Sequence, residues 1–252
     1  IVHYYDPIWR LLWAQEGDAT FFVIPQADLL PIRSGQRIRL TGTTSAANFA
    51  RVSTLSATVL DENPSVAPEP AAGRLRDSAR LEERFVEIAG YVERQRLADA
   101  NHLSCVLISE GLRIDAVVWI EAGTPVPSLT GAHVRAQGVY RGQSTPDGQL
   151  QSIALFVPNT AHIEVTGQLR HDPRFETPVS SIEQLPGLAT DAPIHVAGKI
   201  VATVPGRSIT IRDRTGQLEL LTPQEADLGR WARRSTPDHR MKSVALAAES
   251  IR

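Results

Sequence analysis

Ser34-Gly-Gln-Arg-Ile-Arg-Leu-Thr-Gly42 decides the fold, because the chain uses the same frame again in Thr130-Gly-Ala-His-Val-Arg-Ala-Gln-Gly138. Each copy has a glycine, an alternating strand centred on Ile-Arg or Val-Arg, and a second glycine. Alternation predicts Ile38 and Leu40 on one face and Arg37 and Arg39 on the other. Gly42 and Gly138 are expected to allow a bend or bulge where each strand leaves its unit.

Working outward, a second element recurs three times. Leu11–Val23, Leu103–Val117 and Ser208–Leu220 each read as strand, acidic or glycine-containing turn, strand, which is a β-hairpin pattern. Before the second and third hairpins stand Phe85-Val-Glu-Ile-Ala-Gly-Tyr-Val92 and Ile194-His-Val-Ala-Gly-Lys-Ile-Val201. Both carry a mid-strand glycine, Gly90 or Gly198, which lets a first strand coil and serve both halves of a barrel. Long helical periodicity is nearly absent. The expected fold is all-β: tandem small OB-like five-stranded Greek-key barrels with short linkers and a few short helices. A five-stranded sandwich is the competing reading, since a sequence does not display closure.

The expected divisions are a first barrel over 1–63, a linker over 64–83, a second barrel over 84–167, a linker over 168–189, and an incomplete third barrel over 190–252. Short helices are expected within 74–84, from the capping-box spacing of Ser180-Ser-Ile-Glu183, and over 223–234 after Thr222-Pro-Gln-Glu225. Beyond that helix only Ser243–Ala247 reads as a strand, so the third unit is degenerate or incompletely traced near 235–242. The opening Ile1-Val-His-Tyr-Tyr5 reads as the middle of a strand. A fragment or processed chain is expected, with any targeting segment upstream.

The chemistry is sparse. The seven histidines form neither His-x-His nor His-Glu-x-x-His, and Cys105 is the one cysteine, so no thiolate metal site or internal disulfide is expected. Cys105 lies in an apolar run and reads as a small buried hydrophobe. Phosphate-cradling glycine motifs and the Gly-x-Ser-x-Gly elbow do not occur. No catalytic residue, metal or cofactor is expected, and the chain is read as a non-enzyme. No run approaches the roughly 20 apolar residues of a membrane span.

Aromatics crowd the N-terminus: Tyr4, Tyr5, Trp9, Trp13, Phe21 and Phe22. Such residues form either a stacking platform for a ligand or the packing between core and neighbouring unit, and packing is the favoured reading. Trp9, Leu11 and Trp13 are expected on one face of the second strand. Net charge is −1 over 1–63, −2 over 84–167 and +3 over 190–252. Positive charge and aromatics thus lie on different units, which argues against a nucleic-acid groove. Tyr4, Tyr5, Asp6 and Trp9 are the candidate ligand or partner-binding residues, because Asp6-Pro7 marks a turn at the rim of the expected barrel.

Val2-His-Tyr-Tyr-Asp-Pro-Ile-Trp-Arg-Leu-Leu-Trp13, followed by Gln15-Glu-Gly-Asp18, resembles the first OB unit of the extracytoplasmic sensor region of bacterial membrane-bound sensor histidine kinases. Ser34–Gly42, Asn48–Val52, Gly148–Pro158 and Val204–Gly216 resemble later parts of that region. The resemblance covers roughly 1–222. It implies a periplasmic or extracytoplasmic OB array that senses a small ligand or binds a protein partner, and it brings no catalytic residue and no defined ligand. Association with a membrane would come from other segments or from a partner, since no span is visible and no kinase domain is present in these residues. The alternatives are a structural accessory subunit packing on a larger membrane assembly, and a single-stranded nucleic-acid binding protein.

Overall fold

A computed structural model describes residues 1–26, 29–45, 48–64, 66–168, 178–187, 194–221 and 242–246. The chain is mostly β, with three groups of strands and few, short helices. The first group holds β1 (Val2–Asp6), β2 (Leu11–Glu16), β3 (Ala19–Pro25), β4 (Arg37–Ser45) and β5 (Asn48–Asp61). Their spatial order is β1-β2-β3-β5-β4, with β3 and β5 parallel. The alternation of β4 is as expected: Ile38 and Leu40 face inward and are half-buried, while Arg37 and Arg39 are exposed. Gly42 lies at a register shift between Thr41 and Thr43, where a Cβ would come 2.5 Å from the Val52 side chain.

The second group begins with β6 (Glu69–Pro70) and helix α1 (Ser78–Leu81). It continues through β7 (Phe85–Asp99), β8 (His102–Ser109), β9 (Leu112–Trp119), β10 (Ala132–Ser144), β11 (Leu150–Val157) and β12 (Ile163–Gln168). Here the sheet closes on itself: β7-β8-β9-β11-β10 runs in order and β10 pairs back to β7. One strand serves two neighbours. The first half of β7 pairs with β10 and the second half with β8. Gly90 sits at the changeover, where a Cβ would lie 2.6 Å from the Ile108 carbonyl oxygen, so only glycine permits that approach. The barrel is filled by Val86, Ile88, Leu103, Leu107, Ile114 and Leu155 among others, all fully or nearly fully buried. The stretch expected as a linker also enters this core. Ala71, Leu75 and Leu81 are buried in it, and the buried Tyr140 hydroxyl donates to the Leu75 carbonyl at 2.9 Å. Pro-rich composition suggests a spacer, but its apolar residues are part of the second unit's core.

The third group holds β13 (Val179–Ser180), β14 (Ile194–Val204), β15 (Ser208–Arg212), β16 (Gln217–Leu221) and β17 (Lys242–Leu246). β14 pairs with β17 through its first half and with β15 through its second, as β7 does with β10 and β8. Gly198 repeats the glycine changeover: a Cβ there would lie 2.6 Å from the Arg212 carbonyl oxygen. The expected strand over 243–247 is thus β17. The helix expected over 223–234 and the segment near 235–242 lie, apart from Lys242, outside the described residues. The short helix expected from Ser180 is a 3-10 turn over Ile182–Gly187, one residue later than the capping-box spacing placed it. Ser181 donates its backbone N–H to the Gln184 side chain, and Asp213 accepts the N–H of Ile182 at 2.9 Å. The tertiary bond from the β15–β16 turn sets where this helix starts.

Candidate functional site at the junction of the first two units

Asp6 ends β1, and its side chain shapes the turn that follows. Its Oδ1 accepts the backbone N–H groups of Ile8 and Trp9, each at 2.8 Å. Trp9 is therefore a turn residue and not a member of the second strand, which corrects the expected face shared with Leu11 and Trp13. The strand reading failed because an aspartate that satisfies two following amides holds the chain in a turn through Arg10, whose φ is 57°.

The other oxygen of Asp6 reaches the second unit. His102 Nε2 lies 2.8 Å from Asp6 Oδ2, and both side chains are fully buried. His102 Nδ1 lies 2.7 and 2.8 Å from the two oxygens of Asp99. Both ring nitrogens thus face carboxylates. The Asn101 N–H, against an opposing desolvation penalty and with help from His102 and the Trp9 side chain, holds Asp99 below the usual carboxylate range. Trp9 stacks on His102 with centroids 3.8 Å apart and planes 17° from parallel, and Trp119 meets the ring edge-on. Tyr4 donates weakly to Asp6 Oδ2 at 3.4 Å, and burial followed by the Asp6 charge pushes its phenol well above the usual range.

An aromatic cluster surrounds this clamp. Tyr4 and Trp13 of the first unit are buried with Phe85 and Val139 of the second, flanked by Leu11, Phe22, Trp119 and Phe156. Trp13 stacks between Phe22 at 4.6 Å and Phe156 at 4.7 Å, and His3 stacks on Phe85 at 4.8 Å. The Arg141 guanidinium lies 5.8 Å from the Trp13 ring centre and 5.4 Å from that of Phe22, within cation–π range.

The four residues singled out from sequence therefore have different places. Tyr4 and Asp6 belong to the junction. Tyr5 belongs to the core of the first unit, where its hydroxyl accepts the Leu30 N–H at 2.9 Å. Trp9 straddles the junction and solvent, 40% exposed, with Ile8 beside it 57% exposed. Sequence reading missed His102, Asp99, Phe85, Phe156 and Arg141. One signal was present: Asp6 and Asp99 each end a first strand and each accept an amide two residues on, from Ile8 and Asn101.

Chemically, the junction is a clamp. With both nitrogens engaged, one face covered and no surface exposed, His102 has no free position from which to relay a proton. Among the described residues no group of three or more His, Cys, Asp or Glu could hold a metal ion, and no helix is long and apolar enough to cross a membrane. No protein-family model matches the chain, and no curated protein matches it.

Proposed function

We propose that the chain is a non-catalytic recognition array of OB-type barrels, working in the periplasm as part of a sensing system and binding a protein partner. The strand order of the second unit, its parallel β9–β11 pairing and the repeated glycine changeover support the barrel type. The resemblance to extracytoplasmic sensor regions supports the setting.

One observation carries the recognition reading: Ile8 and Trp9 are presented to solvent on a turn that is already ordered. Asp6 fixes the turn through two amides, and His102 supports the indole from behind. An aromatic and an aliphatic side chain held in place bind with little further loss of conformational freedom, which suits a protein hot spot. A structural accessory subunit is the second reading, favoured because the other aromatics are used to join barrels. Burial of Tyr4, Tyr5 and Trp13 weighs against the nucleic-acid reading and leaves Trp9 and Phe21 as the exposed aromatics of the first unit.

A photo-crosslinking amino acid at position 9, introduced in the native host, tests this. A single crosslinked protein species, lost on Ile8→Ser and absent with the probe at exposed Arg207, is the expected result. Equal labelling from positions 9 and 207 would refute it.

A further inference from the structure

Three histidines lie around the aromatic cluster of the first two units, in opposite electrostatic settings. His102 stands between two carboxylates, Asp6 at 2.8 Å and Asp99 at 2.7 Å. His3 and His162 are bonded to side-chain amides instead. His3 is 4% exposed, and its Nε2 lies 2.9 Å from Gln15 Oε1. Its ring lies flat on Phe85 of the second unit, with centroids 4.8 Å apart and planes 3° from parallel. His162, in the turn before β12, meets the same phenylalanine edge-on at 6.0 Å, with its Nδ1 2.9 Å from Asn159 Oδ1. Two imidazoles from different units thus share one buried ring.

The charged groups on the surrounding strands have partners of their own. Glu164 on β12 lies 3.6 Å from Arg135, and Glu87 on β7 accepts from Gln137 at 3.0 Å. Arg141 on β10 is held by Glu82 and Glu83 at 2.7 and 3.3 Å. The Ile1 ammonium, which acts on His3, has the same sign as a protonated ring. A proton on His3 therefore puts a charge into an apolar contact between units, and favours the state in which that contact is broken and the ring is hydrated. Burial holds His3 below its ordinary range, against the Gln15 bond and with the Ile1 ammonium adding to burial; burial does the same for His162. Attraction of an imidazolium to the face of Phe85 is the opposing effect.

We propose that the junction is an acid-opened contact, in which protonation of His3, backed by His162, releases the first unit from the second while the core of the second unit stays closed. Such opening needs no partner at Ile8 and Trp9, and the proton itself is the ligand. An accessible imidazole titrates near 6.5, so between about pH 7.5 and 5.5 the open-to-closed ratio rises by up to about tenfold for each histidine.

Two thiols separate opening of the junction from opening of the second unit. Cys105 lies in that unit's core, and Val139, 0% exposed, lies in the junction cluster, so Val139→Cys adds a reporter of the contact. The full chain is labelled with dithiodipyridine at the two pH values, each rate is taken relative to a cysteine peptide at the same pH, and the two sites are resolved by mass spectrometry. The expected result is a several-fold rise in the relative rate at position 139 on acidification, with none at Cys105. His3→Phe, which keeps the stack, and His3→Gln, which fills the place with a neutral amide, should each remove most of that rise. A flat rate at position 139, a slower one in acid, an equal rise at Cys105, or a rise undiminished in both His3 variants would overturn the proposal.

Discussion

Removing His102 should be the most damaging single change at the junction that leaves both units' own cores intact. His102→Leu deletes the partner of a fully buried carboxylate, leaving Asp6 with two turn amides and a weak tyrosine contact. Breaking a buried ion pair from one side typically costs about 3–5 kcal/mol, because the remaining charge is uncompensated. Asp6→Leu leaves His102 its bonds to Asp99, so its buried-charge penalty is the smaller one, and it also loses two turn hydrogen bonds at about 1 kcal/mol each. The double variant Asp6→Leu/His102→Leu buries no lone charge at this position, so its loss should be about 2–3 kcal/mol, less than that of His102→Leu. Asp6→Asn separates charge from hydrogen bonding: its oxygen can keep the turn while its Nδ2 takes the place of the oxygen that faces His102 Nε2, and Asp99 stays beside His102 Nδ1. It should cost about 1 kcal/mol or less. Urea denaturation followed by tryptophan fluorescence and by circular dichroism measures all four. Additive losses in the double variant, or a His102→Leu loss under about 1 kcal/mol, would refute the clamp.

Other outcomes follow from single positions. Gly90→Ala and Gly198→Ala should each lower Tm by several degrees, since a Cβ meets a carbonyl at 2.6 Å and overpacking costs about 1–3 kcal/mol; Gly167→Ala, 4.0 Å from its nearest neighbour, is the silent comparison. Stability should fall on acidification in two stages. Burial holds His3 (against an opposing Gln15 bond) and His162 below their ordinary range, so the unfolded chain binds more protons and stability drops as pH falls through about 6.5. Asp213 is partly desolvated, yet the Ile182, Thr215 and Gly216 donors hold it at about 2, so its contribution, present above about pH 4, is lost as pH falls toward 2. Rising stability between pH 7 and 5 in urea melts would contradict the histidine assignment. Cys105, whose thiol burial pushes up to about 12, should resist a thiol reagent in the native state and react fully in denaturant.

The sequence displayed whatever is local or repeated. The three hairpins, the alternation of Arg37–Leu40 and the glycines at 90 and 198 each follow from a few adjacent residues, and the structure has them where they were read. Two features were hidden. Closure of the second unit depends on β10 pairing with β7, about forty to fifty-five residues earlier, and no short window encodes that register. The spacing of Ser180–Glu183 placed a helix start that Asp213 moves by one residue from thirty positions away.

The junction was hidden for a different reason, which also explains how it is built. Alternation assigns a side chain to the inner or outer face of its own sheet, and an outward aromatic such as Trp13 then looks like a ligand platform. Whether it meets solvent depends on the neighbouring unit, here on Phe85 and Phe156. Repetition supplies the remaining logic. Each of the first two units ends its first strand with an aspartate that caps the following turn, Asp6 and Asp99. A carboxylate using one oxygen on its own turn has the second available, and a single histidine at the start of β8 can engage both aspartates at once. Two equivalent local caps and one nonequivalent histidine therefore suffice to join the units. The third unit has no such aspartate: at the end of its first strand stands Val204, followed by Pro205.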